Sequence, residues 1–355
     1  MSVTARPKRR RRNRVTVVSS AVFSVIALVL TGFALSHPGL TSSEVDVSNG
    51  GVWVANQDRG LIGRVNVDAG EIDGKVASTG QDLDIIQSGY HVFETGPRGI
   101  TPINTTSVTR GGLVELPEGS VVALGYDRVV ISAPDGKVWI VSPDEAAAFS
   151  TATVEPVHEG GSGPLPVTVT DQGHVYVLDG NELLKFPRAD SSRETTAEDP
   201  LVAEGLSTKP EDVQLTSVGD QPVIMDRPNR QLRVGTDLDA YDLTEYGVSS
   251  LDEAELQQAG AASDDFVLAT VDTLFIIPFD GGEATEIAAG GNGSTVVPPA
   301  QVKGCAYGAW GGSLRFVRAC EGQEPVKESI PDAEDSDELK LRVNRLIAFE
   351  GVGGV

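Results

Sequence analysis

An apolar hairpin that returns every 38–49 residues, forty glycines and twenty prolines against few aromatics, and one long uncharged stretch near the N-terminus predict the fold class. The first two observations point to an all-β protein, a seven-bladed β-propeller with six or eight blades as alternatives. The third places a single transmembrane helix ahead of it.

In chain order, residues 1–14 form a basic tail with Arg6, Lys8, Arg9, Arg10, Arg11, Arg12 and Arg14 and no acid. Residues 15–36, VTVVSSAVFSVIALVLTGFALS, carry no charge. As a helix, such a stretch reaches about 33 Å, against a bilayer core of about 30 Å. Positive charge stays on the cytoplasmic side, so the N-terminus is expected inside and the rest of the chain outside the cell membrane. A cleaved signal peptide ending at Ala34-Leu35-Ser36 is the alternative, although the apolar core is longer than signal peptides need. Either way the body of the protein is expected to be extracytoplasmic.

The propeller is expected over residues 43–326. Its hairpins are VWVANQDRGLIGRVNV (52–67), YHVFETGPRGITPIN (90–104), DRVVISAPDGKVWIVS (127–142), HVYVLDGNELLKF (174–186), QPVIMDRPNRQLRV (221–234), DFVLATVDTLFIIPF (265–279) and GCAYGAWGGSLRFVRAC (304–320). Each pairs a short apolar strand with a Gly, Asp, Asn or Pro turn and a second strand. The first strand of most hairpins is apolar at consecutive positions, as expected for a strand covered on both faces between stacked blades. A pair of β-sandwiches would show short strands without this period. Flanking strands are expected over 119–124 and 165–170. Residues 42–48 are expected to supply an outer strand ahead of the first hairpin. Residues 339–349 are expected to lie against the last hairpin, closing the ring and removing its edges. Residues 327–355 are read as an acidic linker and that C-terminal strand. Two short helices are expected, at Ser142-Pro143-Asp144-Glu145 and at Ser250–Glu253, on their serine-x-x-glutamate capping pattern.

Cys305 and Cys320 are the firmest local inference. Counting outward from a tight turn at Gly312-Ser313 sets them directly opposite, and outside the membrane such a pair is expected to form a disulfide. Few residues suggest catalysis. The four histidines are His37 at the membrane boundary, His158 in a Glu-Gly-Gly loop, and His91 and His174 at the starts of equivalent strands, where the repeat accounts for them. HExxH, paired CxxC, P-loop and GxSxG patterns do not occur, and no GxGxxG follows a strand. Asp237, Asp239 and Asp242, and the pair Asp82 and Asp84, raise calcium as a question. The glycine and terminal glutamate of a twelve-residue calcium loop are missing at the required offsets. Asn104-Thr105-Thr106 is a glycosylation sequon informative only in a eukaryote. No catalytic residue, metal ligand or cofactor is therefore assigned.

Of 28 Lys and Arg, seven precede the span, while all 51 Asp and Glu follow it; the exported part carries a net −30. Such a surface repels nucleic acid and anionic lipid. The segments GGVWVANQDRGLIGRVNVDAGEID (50–73), QDLDIIQSG (81–89), KGCAYGAWGGSLRFVRAC (303–320) and ELKLRVNRLIAFE (338–350) resemble the N-terminal extracytoplasmic part of actinobacterial fibronectin type III domain-containing membrane proteins. That resemblance implies an anchored, exported propeller-like region with a scaffolding or adhesion role. The sequence departs from the pattern in showing no fibronectin-type repeat up to Val355. The expected function is a non-catalytic protein-interaction or cell-envelope scaffold with other envelope proteins as partners. The alternative is a propeller hydrolase or lyase acting on polysaccharide or a lactone, with or without calcium.

Overall fold

The computed structural model describes residues 51–329 except 58, 67–68, 79, 81, 162, 189–195, 290–294, 312 and 314. The described residues fall in the second of two compact units, Val47–Val355. The transmembrane expectation for 15–36 and the strand expectations for 42–48 and 339–349 lie outside them.

Seven antiparallel sheets follow one another along the chain and form a seven-bladed propeller. Blade one holds β1 (Gly51–Asn56), β2 (Leu61–Asn66) and β3 (Glu71–Ala77). Blade two holds β4 (Asp84–Ser88), β5 (His91–Gly96), β6 (Gly99–Asn104), β7 (Thr109–Arg110) and β8 (Val114–Glu115), the last two both pairing with β6. Blade three holds β9 (Val121–Gly125), β10 (Arg128–Ser132), β11 (Lys137–Val141) and β12 (His158–Glu159). Blade four comprises β13 (Val167–Val169), β14 (Val175–Asp179), β15 (Glu182–Phe186) and β16 (Leu201–Val202). Blade five comprises β17 (Val213–Val218), β18 (Gln221–Asp226), β19 (Gln231–Val234) and β20 (Asp239–Asp242). Blade six runs through β21 (Glu255–Leu256), β22 (Asp265–Ala269), β23 (Thr273–Pro278) and β24 (Thr285–Ala288). Blade seven runs through β25 (Val296–Val302), β26 (Cys305–Trp310), β27 (Arg315–Cys320) and β28 (Val326–Ser329). β28 takes in residues 327–329, which the sequence reading had placed in the linker.

The hairpins read from the sequence are the second and third strands of blades two to seven, and β1 and β2 of blade one. The expected flanking strands appear as β9 and β13, both innermost in their sheets. Because strands run antiparallel, the turn from first to second strand lies at one end of the wheel. The turn from second to third strand, and the passage to the next blade, lie at the other. We call these the turn end and the crossover end.

Alternation explains the consecutive apolar residues. In β10, Val129 and Ile131 pack with Phe93 and Ile100 of blade two, whereas Val130 packs with Val167 and Val177 of blade four. Six apolar clusters of this kind fill the boundaries from blades one and two to blades six and seven. A fully buried aliphatic side chain contributes about 1.5–3 kcal/mol, so these boundaries dominate the stability.

The helix expected at Ser142 is present as α1 (Pro143–Ala146), with a reciprocal capping box between Ser142 and Glu145. The one expected at Ser250–Glu253 is not formed. Ser250 Oγ instead accepts the Asp252 N–H at 3.0 Å, and Glu253 sits at φ +58°, which a right-handed helix excludes. The cysteines pair as expected: Cys305 and Cys320 are opposite in register and disulfide-bonded, with Cα atoms 4.0 Å apart. Closing 15 residues this way stabilises by roughly 3 kcal/mol in the chain-entropy account.

Candidate functional site

At the crossover end, polar residues stand at or near the ends of these strands: Asn56, Ser132, Asp179 and Asp226 end β1, β10, β14 and β18, Glu94 lies two residues before the end of β5, and Thr270 follows β22. These are the groups a propeller enzyme would have to gather, and the structure shows what they hold. Glu94, 5% exposed, receives the Ser78 hydroxyl at 2.7 Å and the Arg110 guanidinium on both oxygens. Ser78 belongs to the connection entering blade two, and its Oγ in turn accepts the Gly80 N–H at 3.1 Å. The hydrogen bond to Glu94 is the main cause holding the Arg110 charge more firmly than usual.

Blades four and five repeat the arrangement. Asp179 accepts the Gly161 N–H at 3.2 Å and lies 2.9 Å from His158 Nε2, both on the chain arriving from blade three. Asp226, 2% exposed, accepts the Ser207 N–H at 3.0 Å from the connection arriving from blade four. It also takes the Asn229 side-chain amide at 2.8 Å and backbone N–H at 3.3 Å. Ser132 Oγ accepts the Leu165 N–H at 2.7 Å from the connection leaving blade three. Asp179 and Asp226, at the ends of their strands, and Glu94, two residues before the end of its own, therefore clamp chain arriving from the preceding blade.

Nearer the axis, side-chain amides join neighbouring first and second strands. Gln87 on β4 accepts the Trp53 N–H at 3.0 Å and donates to the carbonyls of Gly51 and Gly89, both at 3.0 Å. Gln214 on β17 accepts the Leu256 N–H at 2.9 Å and donates to Glu255 at 2.6 Å. Gln257 accepts the Val267 N–H at 2.7 Å. Glu255, on the inner strand of blade six, also lies 3.6 Å from Arg227. Burial pushes its carboxyl above the usual glutamate range, against the Gln214 hydrogen bond and the Arg227 charge. Its carboxyl therefore holds a proton more readily than an ordinary glutamate does.

The histidines and acid clusters singled out in the sequence are dispersed. His91 lies against Tyr90 with ring centres 4.1 Å apart and planes tilted by 44°, at the turn end. His174, at the same end of blade four, has Nδ1 2.8 Å from Asp220 of blade five. Asp242 caps the short 3-10 turn Leu243–Tyr246 through the Thr244 N–H at 2.9 Å; the Thr244 hydrogen bonds lower its pKa. Asp84 accepts the N–H of Ile85 at 2.6 Å. Among the described residues no three or more His, Cys, Asp or Glu converge as a metal centre. His37 lies outside the described residues. Sequence reasoning missed the clamping acids and the glutamine stitches. The clamps change residue type from blade to blade, whereas the glutamines in IIQS, VQLTS and ELQQ offered a usable signal.

No family model matches the sequence. No curated protein matches it either. Among solved structures, the chain is similar to the dihydro-heme d1 dehydrogenase NirN (TM-score 0.56, 12% identity, over 79% of this chain). It spans 64% of that dehydrogenase's length. It is also similar to BamB from Moraxella catarrhalis (TM-score 0.50, 11% identity, 83% of this chain and 88% of BamB). A third similar structure is virginiamycin B lyase from Staphylococcus aureus (TM-score 0.47, 12% identity, 82% of this chain and 91% of the lyase). At such identities the likeness to the first two establishes the fold, a seven-bladed propeller, and nothing about chemistry.

Proposed function

We propose that this chain is a membrane-anchored, extracytoplasmic β-propeller that serves as a protein-interaction or cell-envelope scaffold without catalysis of its own. The observation that carries the reading is the use of Glu94, Asp179 and Asp226: the acids at the crossover end hold connections between blades. What remains is a rigid wheel with two loop-built ends, a form suited to holding partners. The uncharged 15–36 stretch behind seven cations supports the anchored, outward orientation. The resemblance to fibronectin type III domain-containing membrane proteins supports an envelope setting. Partners are other envelope proteins.

The test is cross-linking of the full-length protein in intact envelope membranes, followed by identification of what is captured. A defined set of envelope proteins, recovered equally by wild type and by Glu255→Gln, is the expected result. The second reading, a hydrolase or lyase for polysaccharide or a lactone, has Glu255 in its favour, a carboxyl that burial pushes above the usual glutamate range beside Arg227. It requires turnover that Glu255→Gln abolishes. Such turnover, with no specific partner captured, would replace the first reading.

A further inference from the structure

In chain order each blade is followed directly by the next, so the chain itself bridges the first six blade boundaries. The boundary between blades seven and one is crossed by none among the described residues, because those are the last and first blades. Among the described residues, opening the wheel there breaks no connection of the chain. Alternation along β26 shows which way its side chains point. Ala306 and Trp310 pack with Val267 and Leu274 of blade six, and the Trp310 indole N–H donates to the Thr270 carbonyl at 2.7 Å. Cys305, Tyr307 and Ala309 take the opposite face. They form a seventh apolar cluster with Val297 and Phe316 in which every residue named belongs to blade seven. Across the boundary, Val52 and Val54 alternate with Trp53, whose face belongs to blade two, and both are buried. The chain's one disulfide thus sits on the last blade, on the face turned to the seam.

We propose that Cys305–Cys320 is a reducible lock on closure of the wheel: oxidised, it holds the seam face of blade seven in register; reduced, it lets the seven–one boundary open first. Cys320 is half-buried and Cys305 buried, so the less buried residue offers the point of attack. A thiolate of a dithiol reductant attacks Sγ of Cys320 and expels the Cys305 thiolate. The reductant's second thiol then attacks its own sulfur in the mixed disulfide and expels the Cys320 thiolate. Two electrons pass to the protein, two protons complete the thiols, and the reductant leaves as its disulfide.

Amide hydrogen exchange on the full-length protein, before and after reduction with dithiothreitol and in Cys305→Ser/Cys320→Ser, reads the outcome. Exchange about 100-fold faster over 296–329 and 51–66, with residues 121–242 little changed, is expected. Faster exchange confined to 305–320 would reduce the disulfide to a local staple. Equal acceleration in all blades, or none anywhere, also overturns the proposal. Should the double variant fail to fold, the reduced wild-type protein and its recovery on reoxidation decide the matter alone.

Discussion

Glu94 and Arg110 show what a clamping acid is worth. The carboxylate is almost wholly out of water while its guanidinium partner keeps some solvent contact. Replacing Glu94 by Gln leaves a partly desolvated cation and weakens the hold on Ser78. Removing one partner of a buried pair costs about 3–5 kcal/mol, and the exposure of Arg110 lowers this to about 2 kcal/mol. The urea midpoint of Glu94→Gln should fall accordingly, with its m-value unchanged. Asp265 runs the other way. Burial raises its pKa, and Asp264, Glu321 and Asp280 raise it further. A carboxyl that holds its proton more firmly folded than unfolded adds stability that is whole below the ordinary aspartate range. That stability is lost as pH climbs past the raised value. Asp265→Asn should therefore match or exceed wild type at pH 7 and flatten the gain in thermal midpoint expected of wild type as pH falls toward the ordinary aspartate range. An unflattened profile refutes this assignment.

Among elements, the second strands were the legible ones. VVIS, VYVL and VIM are apolar at consecutive positions because each strand faces a blade on both sides, and they are bounded by turn residues. The inner strands were harder to read. β13 has three residues and β21 two, and part of their pairing is done by side chains the strand pattern ignores. The Val267 N–H is taken by Gln257. Trp53, which occupies the matching position in β1, gives its N–H to Gln87. The crossover clamps were illegible for a related reason: geometry sets a place at or near the strand end, while Ser, Asp and Glu all serve it. Gln87→Leu should take the acceptor from the buried Trp53 N–H and remove the donations to the Gly51 and Gly89 carbonyls. The expected cost is about 2–4 kcal/mol, since each unmade buried hydrogen bond costs about 1–3 kcal/mol. Gln87→Glu keeps the acceptor but loses both donations, and should fall between wild type and the leucine variant. Equal stability of all three would show that the amide carries none of the edge.

At the scale of the whole molecule, the apolar boundaries decide whether the wheel unfolds as one body. A linear array of repeats can fray from either end, because terminal units have one neighbour. In a ring each blade has two, and among the described residues the seam is where that depends on contact alone. The tryptophans are placed to report it: Trp53 in blade one, Trp139 in blade three and Trp310 in blade seven, all buried. Ile224 of β18 packs with Tyr176 and Leu178 of blade four and is fully buried. Ile224→Ala should cost about 2–5 kcal/mol. If the closed ring is cooperative, that loss, made at the boundary of blades four and five, lowers the unfolding midpoint by the same amount at all three tryptophans. Single-tryptophan variants measured by fluorescence against denaturant, alongside far-ultraviolet circular dichroism, make the comparison. Coincident curves in the oxidised protein mean the seam holds as firmly as the boundaries the chain crosses. A Trp139 transition displaced from those of Trp53 and Trp310 would mean that blades near the substitution melt alone, and the wheel would then behave as an array bent into a circle.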